Sequence, residues 1–290
     1  MVDQQSSSRL LGPAEIRELA DAHGIMPTKK LGQNFVHDAG TVRKIVAKAG
    51  VTPGQVVLEV GPGLGSLTLG LLEAGAIVEA VELDGGLARA LPSTVAARGG
   101  DWASRLFVVN MDALDLRASD LPRAPSALVA NLPYNVAVPI LLTALANLPS
   151  LESALVMVQR EVADRLVAPK GSKTYGAPTV KLAWYGPSSR VGIVGPNVFW
   201  PRPNVDSALV RTTVSSTSRG DTELRDATFA LVDAAFEQRR KMVRASLRSL
   251  IPDGVELGRM FADAGISSEA RPEALEIDDF VALARAWVQR

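Results

Sequence analysis

The run Val56-Val57-Leu58-Glu59-Val60 contains no turn former and stops at Gly61-Pro62-Gly63-Leu64-Gly65, after which Ser66–Glu73 reads as helix. A buried strand, a tight glycine turn and a helix form half of a βαβ unit, so the next strand should run parallel to the first. The rhythm continues. Ile77–Leu83 reads as strand, Gly86–Ala97 as helix, and Leu106–Asn110, Ala127–Leu132 and Leu155–Val158 as further buried strands. Strands and helices alternating at this spacing predict an α/β chain with a parallel sheet covered on both faces. Arg190–Phe199 and Ser207–Val214 flank the turn-rich Pro201, Pro203 and Asn204, and read as an antiparallel hairpin closing the sheet edge. Upstream, Pro13–Ala22 and Asp38–Ala49 read as helices, and Met1–Ser8 as a polar tail.

Ser215–Gly220 has the composition of a linker. Beyond it the chain shows helical periodicity: Thr228, Leu231, Val232, Ala235 and Phe236 form one stripe, and Phe280, Leu283, Ala284 and Val288 another. The expected organisation is an N-terminal tail and helix over 1–26, a catalytic domain over 27–214, a linker over 215–220 and a small all-helical domain over 221–290.

Composition removes several chemistries. The chain has no cysteine, so disulfides, thiolate metal sites and cysteine nucleophiles are excluded together. Its two histidines, His23 and His37, make a histidine metal cage or a Ser-His-Asp triad improbable, and both read as incidental. No metal is expected. Acidic residues early in the chain argue against a signal peptide, and no long apolar run spans a membrane, so the expected compartment is the cytoplasm.

The glycine turn has acidic partners. Glycines there let the backbone turn sharply and let a ligand approach the helix N-terminus. The second strand ends in Glu82, where a carboxylate commonly holds the ribose hydroxyls of an adenosine-containing cofactor. Asp112 follows the third strand at the same level. A nicotinamide dinucleotide is one candidate ligand. The Gly-x-Gly-x-Gly spacing, Pro62 inside the turn, Glu59 before it and the lack of a second pyrophosphate cradle lean against that reading. S-adenosylmethionine carries no phosphates, and Glu-x-Gly-Pro-Gly-x-Gly resembles the turn of its methyltransferases.

The fourth strand ends in Asn131-Leu132-Pro133-Tyr134. An exocyclic adenine amine is a poor nucleophile because its lone pair is delocalised into the ring. Hydrogen-bond acceptors aimed at its N–H groups favour a tetrahedral nitrogen with the lone pair facing a methyl donor. The Asn131 side-chain oxygen and the Leu132 carbonyl are candidate acceptors, with Pro133 holding the turn. Tyr134 is a candidate to stack on a flipped base.

These blocks together resemble the ribosomal RNA adenine N6,N6-dimethyltransferases, specifically the bacterial small-subunit (16S) type whose loss confers kasugamycin resistance. The resemblance rests on Lys29-Lys30-Leu31-Gly32-Gln33-Asn34-Phe35, on Leu58 to Gly65, on Val81-Glu82-Leu83-Asp84 and on Asn131 to Asn135. Phe199-Trp200-Pro201-Arg202-Pro203-Asn204-Val205-Asp206-Ser207 and Phe236-Glu237-Gln238-Arg239-Arg240-Lys241 follow in family order. The resemblance implies a Rossmann-like class I S-adenosylmethionine-dependent methyltransferase sheet with a C-terminal RNA-substrate domain. It implies that Asn34 and the Val36 backbone cap the cofactor. Gly61 would lie against its methionine part, Glu82 on its ribose, Asp112 on its adenine, and Asn131 between cofactor and amine, with Gly63 also a cofactor-binding residue. Phe199 would form the second wall of the base pocket, opposite Tyr134. Val36 stands where leucine is usual, and Met111 where glycine is common; neither removes a polar group. The implied reaction is two methyl transfers to each of two adjacent adenosines near the 3′ end of 16S rRNA, releasing S-adenosylhomocysteine. The implied substrate is the 30S subunit or its precursor, which adds a role in ribosome biogenesis.

Lysine plus arginine is 31 and aspartate plus glutamate 31, so a polyanionic partner needs locally gathered positive charge. Residues 160–202 hold seven basic and two acidic side chains, 236–248 five and one, and 249–290 four and eight. Arg202, Arg239, Arg240, Lys241, Arg244 and Arg248 are the candidate RNA contacts. Three other readings stay open at this level: a 23S rRNA dimethylase of the macrolide-resistance type, a DNA adenine methyltransferase, and an assembly factor that binds the immature subunit without needing catalysis. Nothing suggests more than a monomer.

Overall fold

The computed structural model describes residues 9–26 and 33–288. The polar tail Met1–Ser8 and the stretch Lys29-Lys30-Leu31-Gly32 lie outside the described residues. The chain runs through α1 (Pro13–Ala22), β1 (Phe35–Val36), α2 (Ala39–Ala49), β2 (Val56–Val60), α3 (Ser66–Glu73), β3 (Ile77–Glu82) and α4 (Gly85–Ala96). It continues with β4 (Leu106–Asn110), β5 (Ala127–Asn131), α5 (Ala137–Asn147), β6 (Ser153–Gln159), α6 (Arg160–Leu166) and α7 (Ala177–Tyr185). Last come β7 (Ser188–Val194), β8 (Phe199–Trp200), β9 (Ser207–Thr213), α8 (Thr222–Glu237), α9 (Val243–Ser246), α10 (Gly254–Ala264) and α11 (Ile277–Val288).

Two compact units emerge: Met1–Ala163 with Ser189–Thr212, and Asp164–Ser188 with Thr213–Arg290. The first is built on a seven-stranded sheet of order β4-β3-β2-β5-β6-β9-β7. The pairs β2–β3, β3–β4, β2–β5 and β5–β6 are all parallel. Successive strands step outward from β2 to β3 and β4, then return to β5 and β6 on its other side. The order therefore reverses between β2 and β5, and in open α/β sheets ligands bind at that reversal, outside the strand carboxyl ends. Val57, Val78, Ala80, Ala127 and Val129 join α1 to α4 in one core cluster. Leu58, Val81 and Leu128, on the opposite face by strand alternation, are buried as well.

Local chemistry sets the helix limits. Asp38 caps α2 by accepting from the Thr41 N–H at 2.7 Å, and Gly50 ends it in the left-handed region. Asp84 caps α4 through the N–H groups of Gly86 at 2.8 Å and Leu87 at 3.2 Å. The expected hairpin is modified. Gly195 and Pro196 break the first arm into a 3-10 turn over Pro196–Val198, because proline has no N–H for a ladder. The residues beyond that turn, β8, leave the large sheet and pair antiparallel with β1, Phe35 opposite Trp200 and Val36 opposite Phe199. The Trp200–Pro201 peptide is cis.

In the second unit, both expected stripes are core apart from their ends: Leu231, Val232, Ala235, Phe280, Leu283 and Ala284 are buried, while Val288 is 40% exposed. The unit also takes in α7, which sequence reading places in the catalytic domain. Trp184 and Tyr185 set their rings edge-on to Phe229 of α8, with centroids 6.0 and 6.3 Å away. The Tyr175 hydroxyl donates to the Leu275 carbonyl at 2.8 Å. Apolar side chains at 175–185 thus find their partners among the C-terminal helices, and Ser215–Gly220 lies within this unit.

Candidate active site

At the carboxyl ends of β2, β3 and β5, a cavity opens in the first unit. Its floor is the glycine turn, where Gly61, Gly63 and Gly65 take φ of 69°, 59° and 97°, a region that side chains other than glycine rarely adopt. A Cβ on Gly63 would sit 2.7 Å from the Phe35 ring. Phe35 in turn stacks on Trp200, centroids 6.2 Å apart, so the small β1–β8 ribbon presses on the turn.

The second strand supplies Glu82. It is 7% exposed, and its carboxylate accepts from the Gly63 N–H at 3.1 Å and from the Asp84 N–H at 2.9 Å. Burial pushes its carboxyl above the ordinary glutamate range, opposed by those N–H groups. Each oxygen keeps a lone pair for further donors. The strand end is held from the side by Asn110, whose amide donates to the Glu82 carbonyl at 2.7 Å and the Leu83 carbonyl at 3.1 Å. Asp112 lies on the cavity wall and accepts from the Leu114 N–H at 2.9 Å, which shapes its turn.

Asn131 ends β5. Its side-chain amide donates to the Asn34 carbonyl at 2.9 Å, which leaves Oδ1 as the acceptor of the pair. The expected acceptor role therefore has a built-in orientation. The Leu132 N–H donates to the Met157 carbonyl at 3.1 Å. The whole residue is 1% exposed and is not among those lining the cavity.

The cavity brings together Asn34, Val36, Gly61, Gly63, Glu82, Asp112, Asn131 and Pro133. Tyr134 and Phe199 are not among its lining residues. The Tyr134 hydroxyl is bonded to Ser207 Oγ at 2.8 Å, and Phe199 is 2% exposed in the core cluster. Sequence reading missed Leu83 and Leu114, apolar yet 55% and 38% exposed at the cavity edge beside Glu82 and Asp112. Their signal was an apolar residue one or two positions past an acid at or just beyond a strand's carboxyl end. It also passed over Glu59 as a site residue, although a charge inside an unbroken apolar strand is conspicuous. Glu59 is 1% exposed, lines the cavity and accepts from the Thr68 hydroxyl at 2.6 Å. Burial pushes its carboxyl up to about 8; the Thr68 hydroxyl opposes this and the Glu82 charge adds to it.

Four acids, Glu59, Glu82, Asp84 and Asp112, line this cavity with no lysine, arginine or histidine among its described residues. With Glu59 held as the neutral acid, the other three carboxylates still repel a pyrophosphate and suit a cationic, phosphate-free ligand. Among the described residues no group of three or more His, Cys, Asp or Glu could hold a metal ion.

The expected RNA contacts divide by environment. Arg202, Arg240, Lys241 and Arg248 are exposed. Arg239 is committed inside the second unit, donating to the Ser172 carbonyl at 2.7 Å and to the Lys173 carbonyl. Arg244 is half-buried, with its Nε enclosed and unpaired.

Sheet order, reversal point and cavity together define a Rossmann-like class I methyltransferase. The family model for ribosomal RNA adenine dimethylase matches residues 27–288, and the chain belongs to that family. It is 58% identical, over 95% of this chain and 98% of the relative, to the ribosomal RNA small subunit methyltransferase A of Leifsonia xyli subsp. xyli. To the protein of the same name from Nocardia farcinica it is 54% identical, over 98% and 97% of the two chains. Among solved structures, a dimethyladenosine transferase from Plasmodium falciparum superposes with TM-score 0.72, covering 86% of this chain and 95% of that one at 23% identity. The 23S rRNA methyltransferase ErmE gives TM-score 0.62 at 26% identity, over 87% of this chain and 98% of that one.

Proposed function

We propose that this protein uses S-adenosylmethionine to dimethylate the N6 amines of two adjacent adenosines near the 3′ end of 16S rRNA. The products are dimethyladenosine and S-adenosylhomocysteine. Its substrate is the small ribosomal subunit or its precursor, which makes it also a factor in 30S biogenesis, and it acts as a monomer in the cytoplasm. The relatives' shared name and full-length match support the small-subunit substrate over the large-subunit one. No helix among the described residues is long and apolar enough to cross a membrane.

The observation that carries the chemistry is the Asn131 amide, whose nitrogen is bonded to the Asn34 carbonyl at 2.9 Å. When bound, S-adenosylmethionine supplies an electrophilic methyl on a positively charged sulfur. Glu82 would hold the ribose hydroxyls, Asp112 the cofactor adenine, and Gly61 the methionine part, with Gly63 also a cofactor-binding residue and Asn34 and Val36 as cap. Asn131 Oδ1 and the Leu132 carbonyl accept from the target N–H groups, which turns the nitrogen lone pair outward. Pro133 holds the turn between them, and Tyr134 stacks on the extruded base with Phe199 as the opposite wall of the base pocket. In the second unit the exposed Arg240, Lys241 and Arg248 take the RNA backbone, with Arg244 as a further contact and Arg239 bracing that unit; in the first unit Arg202 does the same.

The test is incubation with labelled S-adenosylmethionine and, separately, unmethylated small subunits, large subunits and duplex DNA. Dimethyladenosine confined to small-subunit RNA is the expected result. Label in the large subunit would move the assignment to the resistance methylases, and binding without transfer would leave an assembly factor.

A further inference from the structure

The segment Pro201-Arg202-Pro203-Asn204-Val205-Asp206-Ser207 leads into β9, and the methyl-transfer chemistry does not itself use it. Its last residue meets the site. Ser207 is 0% exposed, and its Oγ lies 2.8 Å from the Tyr134 hydroxyl. The preceding residue is anchored just past β6, at the first residue of α6: the Arg160 N–H donates to the Asp206 carbonyl at 2.9 Å, and the two side chains approach to 3.5 Å. Strand β9 is also the neighbour of β6 in the sheet.

Strand β6 holds the other end of the tetrapeptide. The Leu132 N–H donates to the Met157 carbonyl of β6 at 3.1 Å, and Met157 is the register partner of Asn131. Asn131 to Tyr134 is therefore tied to two neighbouring strands of one sheet, at Leu132 to β6 and at Tyr134 to β9 through Ser207. A half-buried tyrosine at a turn otherwise has freedom about two side-chain torsions. Bonding its hydroxyl removes that freedom, and burial raises the Tyr134 phenol above its usual value, so the hydroxyl stays protonated.

We propose that Ser207 is a positioning residue for methyl transfer: through the Tyr134 hydroxyl it holds the aromatic ring at a set distance from the Asn131 amide, so that a base stacked on the ring presents its amine to Oδ1. This rests on the reading of Tyr134 as the stacking wall. Asn131 orients the amine, and Ser207 sets where that amine arrives. It also explains why a buried hydroxyl opens a strand whose next three residues, Ala208, Leu209 and Val210, are apolar core.

The test is a double-mutant cycle of Ser207→Ala and Tyr134→Phe, with kcat and KM for small subunits, cofactor affinity and melting temperature measured on each. Tyr134→Phe keeps the ring and breaks the bond from the more exposed side, so it guards against a folding defect in Ser207→Ala. Each single variant should lower kcat about five- to tenfold with cofactor affinity unchanged, and the double variant should be no worse than either. Multiplying effects, or a lower melting temperature with unchanged kcat, would overturn the positioning role. Tyr134→Ala separates the two readings. If it alone lowers kcat, stacking stands and positioning falls. If it leaves kcat unchanged, the stacking reading fails and takes this inference with it.

Discussion

Glutamate 59 sits inside a strand with 1% exposure, and its carboxyl is pushed up to about 8 from an ordinary 4.5. In the folded chain it is protonated at neutral pH, whereas in the unfolded chain it is ionised. Between those two values the folded state binds the extra proton, so raising the pH through this window favours unfolding. Its contribution is most favourable below the unfolded value and is lost as pH rises toward the folded one. With about 1.4 kcal/mol per pH unit across most of the window, moving from about pH 5 to about pH 7.5 should cost on the order of 3 kcal/mol. Glu59→Gln removes this dependence while keeping an acceptor for the Thr68 hydroxyl, which now lies at 2.6 Å from the Glu59 carboxyl oxygen. Denaturant unfolding of both proteins across that range is the assay. The glutamine variant should gain on the parent as pH rises, by roughly 3 kcal/mol at the top of the range. Equal pH dependence in the two proteins would refute the claim that Glu59 is buried as the neutral acid.

Three further outcomes are expected. Asn131→Ala should lower turnover well over tenfold with cofactor affinity nearly unchanged, measured by single-turnover kinetics beside calorimetry; equal turnover would remove the amine-orienting role. Gly63→Ala places a methyl 2.7 Å from the Phe35 ring at a φ of 59°, so it should weaken cofactor binding and lower stability by about 1–3 kcal/mol, read by thermal shift with and without cofactor. Charge reversal at Arg240 and Lys241 should weaken subunit binding and flatten its salt dependence, whereas Arg239→Glu should instead destabilise the unit whose Ser172 and Lys173 carbonyls it holds. An unchanged salt slope in the first pair would place the RNA on another surface.

The βα rhythm was legible because periodicity and glycine turns are local: the strand from Val56 to Val60 and the helix from Ser66 to Glu73 fall where the pattern puts them. The cavity residues Glu82, Asp112 and Asn131 were legible for the same reason, since each ends or follows a strand and parallel strands bring their ends together. What escaped depends on partners distant in sequence. Nothing near Phe199 announces that β8 pairs with Val36, more than a hundred residues earlier. Arg239 reads as one of a basic run offered to RNA until the carbonyls of Ser172 and Lys173 are seen to claim its guanidinium. Tyr134 reads as a ring for stacking, and only the fold reveals its hydroxyl on Ser207.

Because residues 164–188 belong with the C-terminal helices and 189–212 with the sheet, the chain passes between its two units three times rather than once. Cutting at Ser215–Gly220 would therefore not release a sound N-terminal fragment. Such a product would carry α7 with Val180, Leu182, Trp184 and Tyr185 stripped of the helices that bury them. A soluble fragment would need two edits: termination after 212, and replacement of 164–188 by a short bridge from Ala163 to Ser189. The same accounting applies to recombination between relatives, where exchange of the C-terminal unit leaves a mismatched α7 behind unless that inner segment is carried across with it.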